Sequence, residues 1–312
     1  MRKTISFALF SLLFAQANAQ ITPDKHTAKF DDGTKIQIEH LENKAQDPVK
    51  WQLSYGYLIG YINNIGTPGN HELNGNYQIN NKLQVSGTFD YITYQSENTK
   101  FSNKIRGVLG IHYSLSANLK SRKTTLAVKQ KSQKRYLIKN WNIQSNHIWE
   151  LYLGAEQFNL PLKLQISDLT KLNLSPVESS VQRVQINTLK MTNLELGISW
   201  RLLERDRYKI DKTENEQYLD SRITLKSILA VNRQFESYLF YSNKTVLSEV
   251  NYYSDLTKNY GIAIQWDAAT VNTLLGPKLL LLYHVGASYY PFMQDQQLYR
   301  VYAGVSIGLR GK

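Results

Sequence analysis

Tyr299–Leu309 reads YRVYAGVSIGL. Tyr299, Val301, Ala303, Val305, Ile307 and Leu309 share one parity; Arg300, Tyr302, Gly304, Ser306, Gly308 and Arg310 share the other. A period of two held over eleven residues gives a single strand with one apolar face and one small or polar face. Strands of soluble sheets run about five or six residues, whereas a bilayer crossing takes about 9–11, apolar outward and polar inward. The stretch predicts a membrane-crossing strand. The chain is read as all-β: an antiparallel up-and-down transmembrane β-barrel closed by this last strand.

The same alternation recurs upstream. Trp51, Leu53, Tyr55, Tyr57, Ile59 and Tyr61 oppose Gln52, Ser54, Gly56 and Gly60. Further strands are predicted at 71–79, 83–93, 107–117, 147–167, 189–203, 222–231, 259–269 and 279–290. Two segments, 122–138 and 236–252, are poorly patterned. Counting both gives twelve strands, an even number that leaves the two ends of the barrel on the periplasmic side; ten is the alternative. The expected turns include 80–82, 118–121 and 232–234. The charged stretch ERDRYKIDKTENEQYLD, 204–220, reads as an exposed outer loop. Segment 168–188 then falls on the periplasmic side, where it is too long for the short turns expected there. In 147–167 the apolar parity flips at Glu156-Gln157, which predicts a β-bulge, with a hairpin as the other reading. The last strand is expected to pair with Trp51–Tyr61 and remove both edges.

The chain begins MRKTISFALFSLLFAQANAQ. A basic start at Arg2 and Lys3, a short apolar run and Ala17-Asn18-Ala19 form the three parts of a cleaved secretory signal, 1–19. Residues 20–50 read as a polar periplasmic lead-in with a short strand at 35–38, a plug inside the lumen being the other reading, and 51–312 as the barrel. There is no cysteine, so no disulfide framework holds the exported protein. Of 37 basic residues, removal of Arg2 and Lys3 leaves 35 against 25 acidic, a charge of +10. For an exported chain the partners of such charge are anionic headgroups, acidic saccharides or small anionic solutes rather than nucleic acid. The 21 Tyr and five Trp suit aromatic belts at the lipid–water borders.

The signal sequence, the terminal VYAGVSIGL and the segment EQFNLPLKLQIS (156–167) resemble the small outer-membrane β-barrel proteins, OmpA-like or PorT-like. The resemblance covers about residues 50–312. It implies an outer-membrane location in contact with outer-membrane lipid. It also implies handling by periplasmic chaperones and the barrel-assembly machinery. The chain departs from the pattern at its end, where Leu309-Arg310-Gly311-Lys312 lacks the terminal aromatic residue.

The parity of the strands turns Asp90, His112, Glu150, Glu156, Lys163, Glu195, Arg201, Lys226, His284, Arg300 and Arg310 toward the lumen. Buried ionised groups must be paired, so a structural ion-pair network is one reading, with Glu195 and Glu150 as partners for Arg300 and Arg310. A lining that selects solutes, the cations favouring anions, is the other. A rim hydrolase would rest on Ser145-Asn146-His147 alone; there is no G-x-S-x-G, H-E-x-x-H, P-loop or G-x-G-x-x-G, and no cofactor is implied. The expected function is that of a passive pore or a structural, partner-binding barrel.

Overall fold

In a computed structural model of the chain, ten strands close into one antiparallel barrel. The structure describes residues 25–29, 33–46, 48–62, 69–96, 99–129, 135–166, 181–241, 245–249, 259–271, 279–293 and 296–311. The strands are β1 (Lys25–Lys29), β2 (Lys35–Asn43), β3 (Trp51–Ile62), β4 (Gly69–Asn80), β5 (Leu83–Ser96), β6 (Thr99–Lys129) and β7 (Arg135–Ile166). They continue as β8 (Arg183–Ile210), β9 (Thr213–Phe240), β10 (Thr245–Glu249), β11 (Tyr260–Val271), β12 (Leu279–Met293) and β13 (Gln296–Gly311). The ring runs β3 to β9, then β11, β12 and β13. It closes where β13 pairs with β3, from Gly311 opposite Trp51 to Arg300 opposite Ile62. Outside the ring, β1 pairs with β2, β2 with the end of β8, and β10 with the end of β9.

Ten replaces twelve because two expected turns do not exist. β6 passes straight through 118–121, and β9 straight through 232–234. Asn118 and Asn232 are exposed. They lie where these strands leave the apolar band, so a polar side chain there marks the border of the band and not a turn. Of the poorly patterned 122–138, residues 122–129 end β6 and 135–138 begin β7; of 236–252, residues 236–240 end β9 and 245–249 form β10; 130–134, 242–244 and 250–252 lie outside the described residues.

Two segments are reassigned as a result. We call the rim holding Trp51 and Gly311 the near rim. Residues 183–188 of the expected segment 168–188 open β8 at the far rim, and 168–180 lie outside the described residues. The stretch 204–220 is no loop: it is the β8–β9 hairpin at the near rim, turning at Asp211-Lys212. Asp211 takes the left-handed conformation, φ 51°, that this two-residue turn requires.

Residues 147–166 form part of the single strand β7, so the hairpin reading is excluded. The bulge is also misplaced, because Glu156 and Phe158 are buried while Gln157 between them is exposed. Phe158 is an apolar residue turned inward, where its ring meets that of Tyr290 at 5.4 Å. The pairing with β8 slips later, between Pro161 and Leu164.

The stagger of the barrel follows from its register. One paired row runs from Lys50 through Gln78, Gln84, His112, Tyr152, Gly197, Lys226, Ala263, Ser288 and Arg300, and returns to the first strand at Ile62, twelve residues beyond Lys50. Ten strands with that stagger tilt by about 40° and enclose a backbone cylinder about 20 Å across. Between Trp51 and Tyr61 the outward face of β3 spans about 25 Å along the axis, the height of a lipid-facing band.

Side chains are arranged inversely to those of a soluble protein. Leu109 on the outer wall is 68% exposed, while Asp90 inside is 0% exposed. Trp51, Tyr61, Tyr77, Tyr113 and Trp149 are among the exposed aromatic residues of the outer wall.

Candidate functional site

Titratable side chains converge in the barrel interior. Of the residues expected there, Asp90, His112, Glu150, Glu156, Glu195, Arg201, Lys226, His284, Arg300 and Arg310 are buried. Lys163 lies on β7, but its side chain is outside the described residues.

Among the described residues, Arg106, Arg201, Arg222, Lys226, Arg300 and Arg310 meet carboxylates. Toward the far rim, Arg106 donates to Asp90 at 2.7 Å and to Glu156 at 2.6 Å. Asn193 and Tyr290 donate to the other Glu156 oxygen at 2.9 and 3.0 Å. Arg300 reaches Asp90 at 3.4 Å and lies over the Tyr302 ring. At mid-height, Lys226 bonds Glu195 at 3.2 Å and Gln265 at 3.0 Å. Tyr152 donates to Glu195 at 2.6 Å. His284 joins Asp267 at 2.9 Å and Glu72 at 3.5 Å. Glu150 is held by Arg222 at 2.8 Å, with Arg201 and His112 each at 3.5 Å. Toward the near rim, Arg201 grips Asp220 with two bonds of 2.8 Å, and Arg310 shares Glu216 with Arg205. The partners expected for Arg300 and Arg310, Glu195 and Glu150, are thus replaced by Asp90 and Glu216. A cavity of about 90 Å³ remains at mid-height, room for a few waters.

Glycines let this interior close. Gly110 and Gly154 are register partners, and the Tyr152 ring covers both, leaving no room for a Cβ at either. Tyr302 lies against Gly286 in the same way.

Below the ion pairs, at the near mouth, Val49, Leu203, Tyr218, Ala269, Leu280 and Leu282 form an apolar cluster. Val49 comes from the lead-in. In the ten-strand ring β8 stands opposite β3. β2 ends paired with β8 at Asn43–Asp206, and β3 begins at Trp51. The described residues 44–46 and 48–50 of the connection therefore lie across the mouth. They are tied down at both sides, Lys44 N–H donating to Arg205 and Gln78 N–H to Lys50, each through backbone carbonyls. The short strand expected at 35–38 is the start of β2, which runs nine residues and pairs with β8 at the near rim.

A second cluster holds β2 in place. Ile36, Ile38, Trp141, Ile143 and Tyr208 are buried together. Within it, His40 Nε2 meets Asp206 Oδ1 at 2.5 Å and Trp141 Nε1 donates to Asp206 Oδ2 at 2.7 Å. Burial, with the Asp206 charge second, pushes the Tyr208 hydroxyl up to about 12.

Ser145 and His147 do not form a nucleophile–base pair: the Ser145 hydroxyl donates to Glu204 at 2.6 Å, and the His147 ring lies 5.7 Å from Trp200. Among the described residues no group of three His, Asp or Glu side chains is placed to hold a metal ion.

Glu72, Arg106, Asp220, Arg222 and Asp267 belong to the interior but were not among the expected residues. Glu72, Arg222 and Asp267 stand on the polar parity of their strands, which is signal enough to find them. Asp220 and Glu216 were hidden by reading 204–220 as a loop.

No protein-family model and no curated protein sequence matches this chain. Solved structures that resemble it include the CymD monoaromatic hydrocarbon channel, at 8% identity over 85% of this chain and 90% of that one, TM-score 0.26. Another is the toluene transporter TodX of Pseudomonas putida, at 8% identity over 86% and 90%, TM-score 0.22. A third is an anion-selective porin from Comamonas acidovorans, at 10% identity over 84% and 99%, TM-score 0.18. Similarity of this degree establishes neither a common family nor a common activity.

Proposed function

We propose that this chain is a bacterial outer-membrane β-barrel whose lumen is closed at rest, so that it serves as a structural, partner-binding barrel. The observation that carries this reading is the inversion of the wall: apolar side chains exposed outside a closed ring whose interior is filled with paired charges. Lipid is the environment in which that outer band is buried. The ion pairs, the strap and the small volume of the mid-height cavity support a closed lumen. With its ends on the periplasmic side, the near rim with its β6–β7 and β8–β9 hairpins faces the periplasm. Interior cations matched by carboxylates favour this reading over an anion-selective lining.

A gated passive pore is a second reading, favoured by the strap: 44–50 is not part of the wall and could leave the mouth without breaking the ring. The outer-membrane assignment is tested by fractionating cells and running the protein on gels without boiling. A heat-modifiable band in the outer-membrane fraction is expected; a soluble, non-modifiable protein would contradict it.

A further inference from the structure

At the near rim β6 outruns its neighbour β5. Their pairing ends with Leu83 opposite Tyr113 and Ser114 N–H donating to the Lys82 carbonyl. β6 itself runs on to Lys129. Among the described residues no strand pairs with that side of 116–129, about 45 Å of open edge. The other side is closed by β7, from Ser116 opposite Trp149 to Lys129 opposite Arg135.

This two-stranded ribbon is held off the membrane. Trp141 and Ile143 of β7 pack with Ile36 and Ile38 of β2 and Tyr208 of β8, and Ile138 lies against them. Tyr208 stands about 25 Å of strand past Trp200, the register partner of the exposed Trp149. That is about three Debye lengths at physiological ionic strength, so the outer half of the ribbon is beyond the reach of headgroup charge.

The charge of the ribbon is one-sided. No Asp or Glu occurs between Glu97 and Glu150. The two strands carry Lys120, Arg122, Lys123, Lys129, Arg135 and Lys139. The β8–β9 hairpin beside it, 204–220, has six carboxylates to four cations. Arg122 is engaged with Glu204 at 2.7 Å. Lys120 and Lys123 are exposed and meet no carboxylate among the described residues. An open edge of this length is a template for another strand. Lysines along it repel a second copy of the same ribbon and admit a strand of opposite charge.

We propose that the 116–129 edge docks an extended acidic segment of a periplasmic protein, which adds to β6 as a strand with its carboxylates at Lys120 and Lys123. The site rests on the reading above of a partner-binding barrel with its near rim in the periplasm, and gives that partner its chemistry. Backbone pairing supplies affinity, and the lysines supply the choice of partner. Packing on β2 orders the edge before anything binds, which lowers the cost of docking.

Fluorescence anisotropy of a labelled peptide of about ten residues, alternating Glu and Thr, tests it on the heat-modifiable protein in detergent. Saturable binding that weakens as salt is added is expected. Lys120→Glu/Lys123→Glu, two exposed positions, should keep the heat-modifiable band and bind about tenfold more weakly. A Glu–Pro peptide of equal charge, which lacks half the N–H groups of the ladder, should bind at least about fivefold more weakly than the Glu–Thr peptide. Equal binding by wild type and the charge-reversed variant overturns the site. Equal binding of the two peptides overturns strand addition. Retention of oligogalacturonate without binding of the Glu–Thr peptide overturns the proposal in favour of an acidic glycan. Each of these leaves the membrane reading intact; a soluble, non-modifiable protein overturns both.

Discussion

Arg106 and Asp90 are register partners on β6 and β5, and their side chains meet at 2.7 Å inside the barrel. The same guanidinium holds Glu156 at 2.6 Å. Arg106→Ala therefore leaves two buried carboxylates without their main cation. Breaking one side of such a pair costs about 3–5 kcal/mol. Urea unfolding followed by the heat-modifiable band should show a loss of that size, and Arg106→Ala/Glu156→Gln should recover part of it. An Arg106→Ala barrel as stable as wild type would mean that these charges are solvated and not paired.

Tyr152 occupies the space above Gly110 and Gly154. Gly154→Val must displace that ring and break its 2.6 Å bond to Glu195. A loss of about 2 kcal/mol or more is expected from overpacking and the orphaned carboxylate. Adding Tyr152→Ala should relieve the clash, which a double-mutant cycle would read as coupling of about 1 kcal/mol or more. Additive effects would show that the ring does not lie on the glycine.

Asp206 bonds both His40 and Trp141, and so fixes β2 to the near rim. Asp206→Asn should loosen β2 and the strap behind it without opening the ring. Trypsin cleavage after Lys44 or Lys50 should become at least tenfold faster, equivalent to about 1.4 kcal/mol of local opening. The folded band of the residual barrel should persist. Unchanged cleavage would place the anchorage of the strap elsewhere.

The sequence carried the wall clearly and the ends poorly. Alternation in Trp51–Tyr61 and Tyr299–Leu309 was enough to place β3 and β13 and to pair them, because a membrane band demands apolar residues on one face only. Past the band that demand lapses. There β6 and β9 take polar residues on both faces, and Asn118 and Asn232 looked like turns. The same lapse made 204–220 look like a loop, which hid Asp220 and Glu216. Partners were the least legible. Parity shows that Arg300 points inward, but its meeting with Asp90 depends on the stagger of the whole ring. The strap could be read only once ten strands were counted, since it is the count that sets β8 opposite β3.

The claim that the lumen is closed is tested most directly by the conductance of the purified wild-type protein in planar bilayers. Heat-modifiable protein that inserts and gives no steady conductance steps, in low or high salt, is the expected result. Stable open steps from the wild-type protein, with strap and ion pairs intact, would contradict the account and identify the barrel as a resting pore.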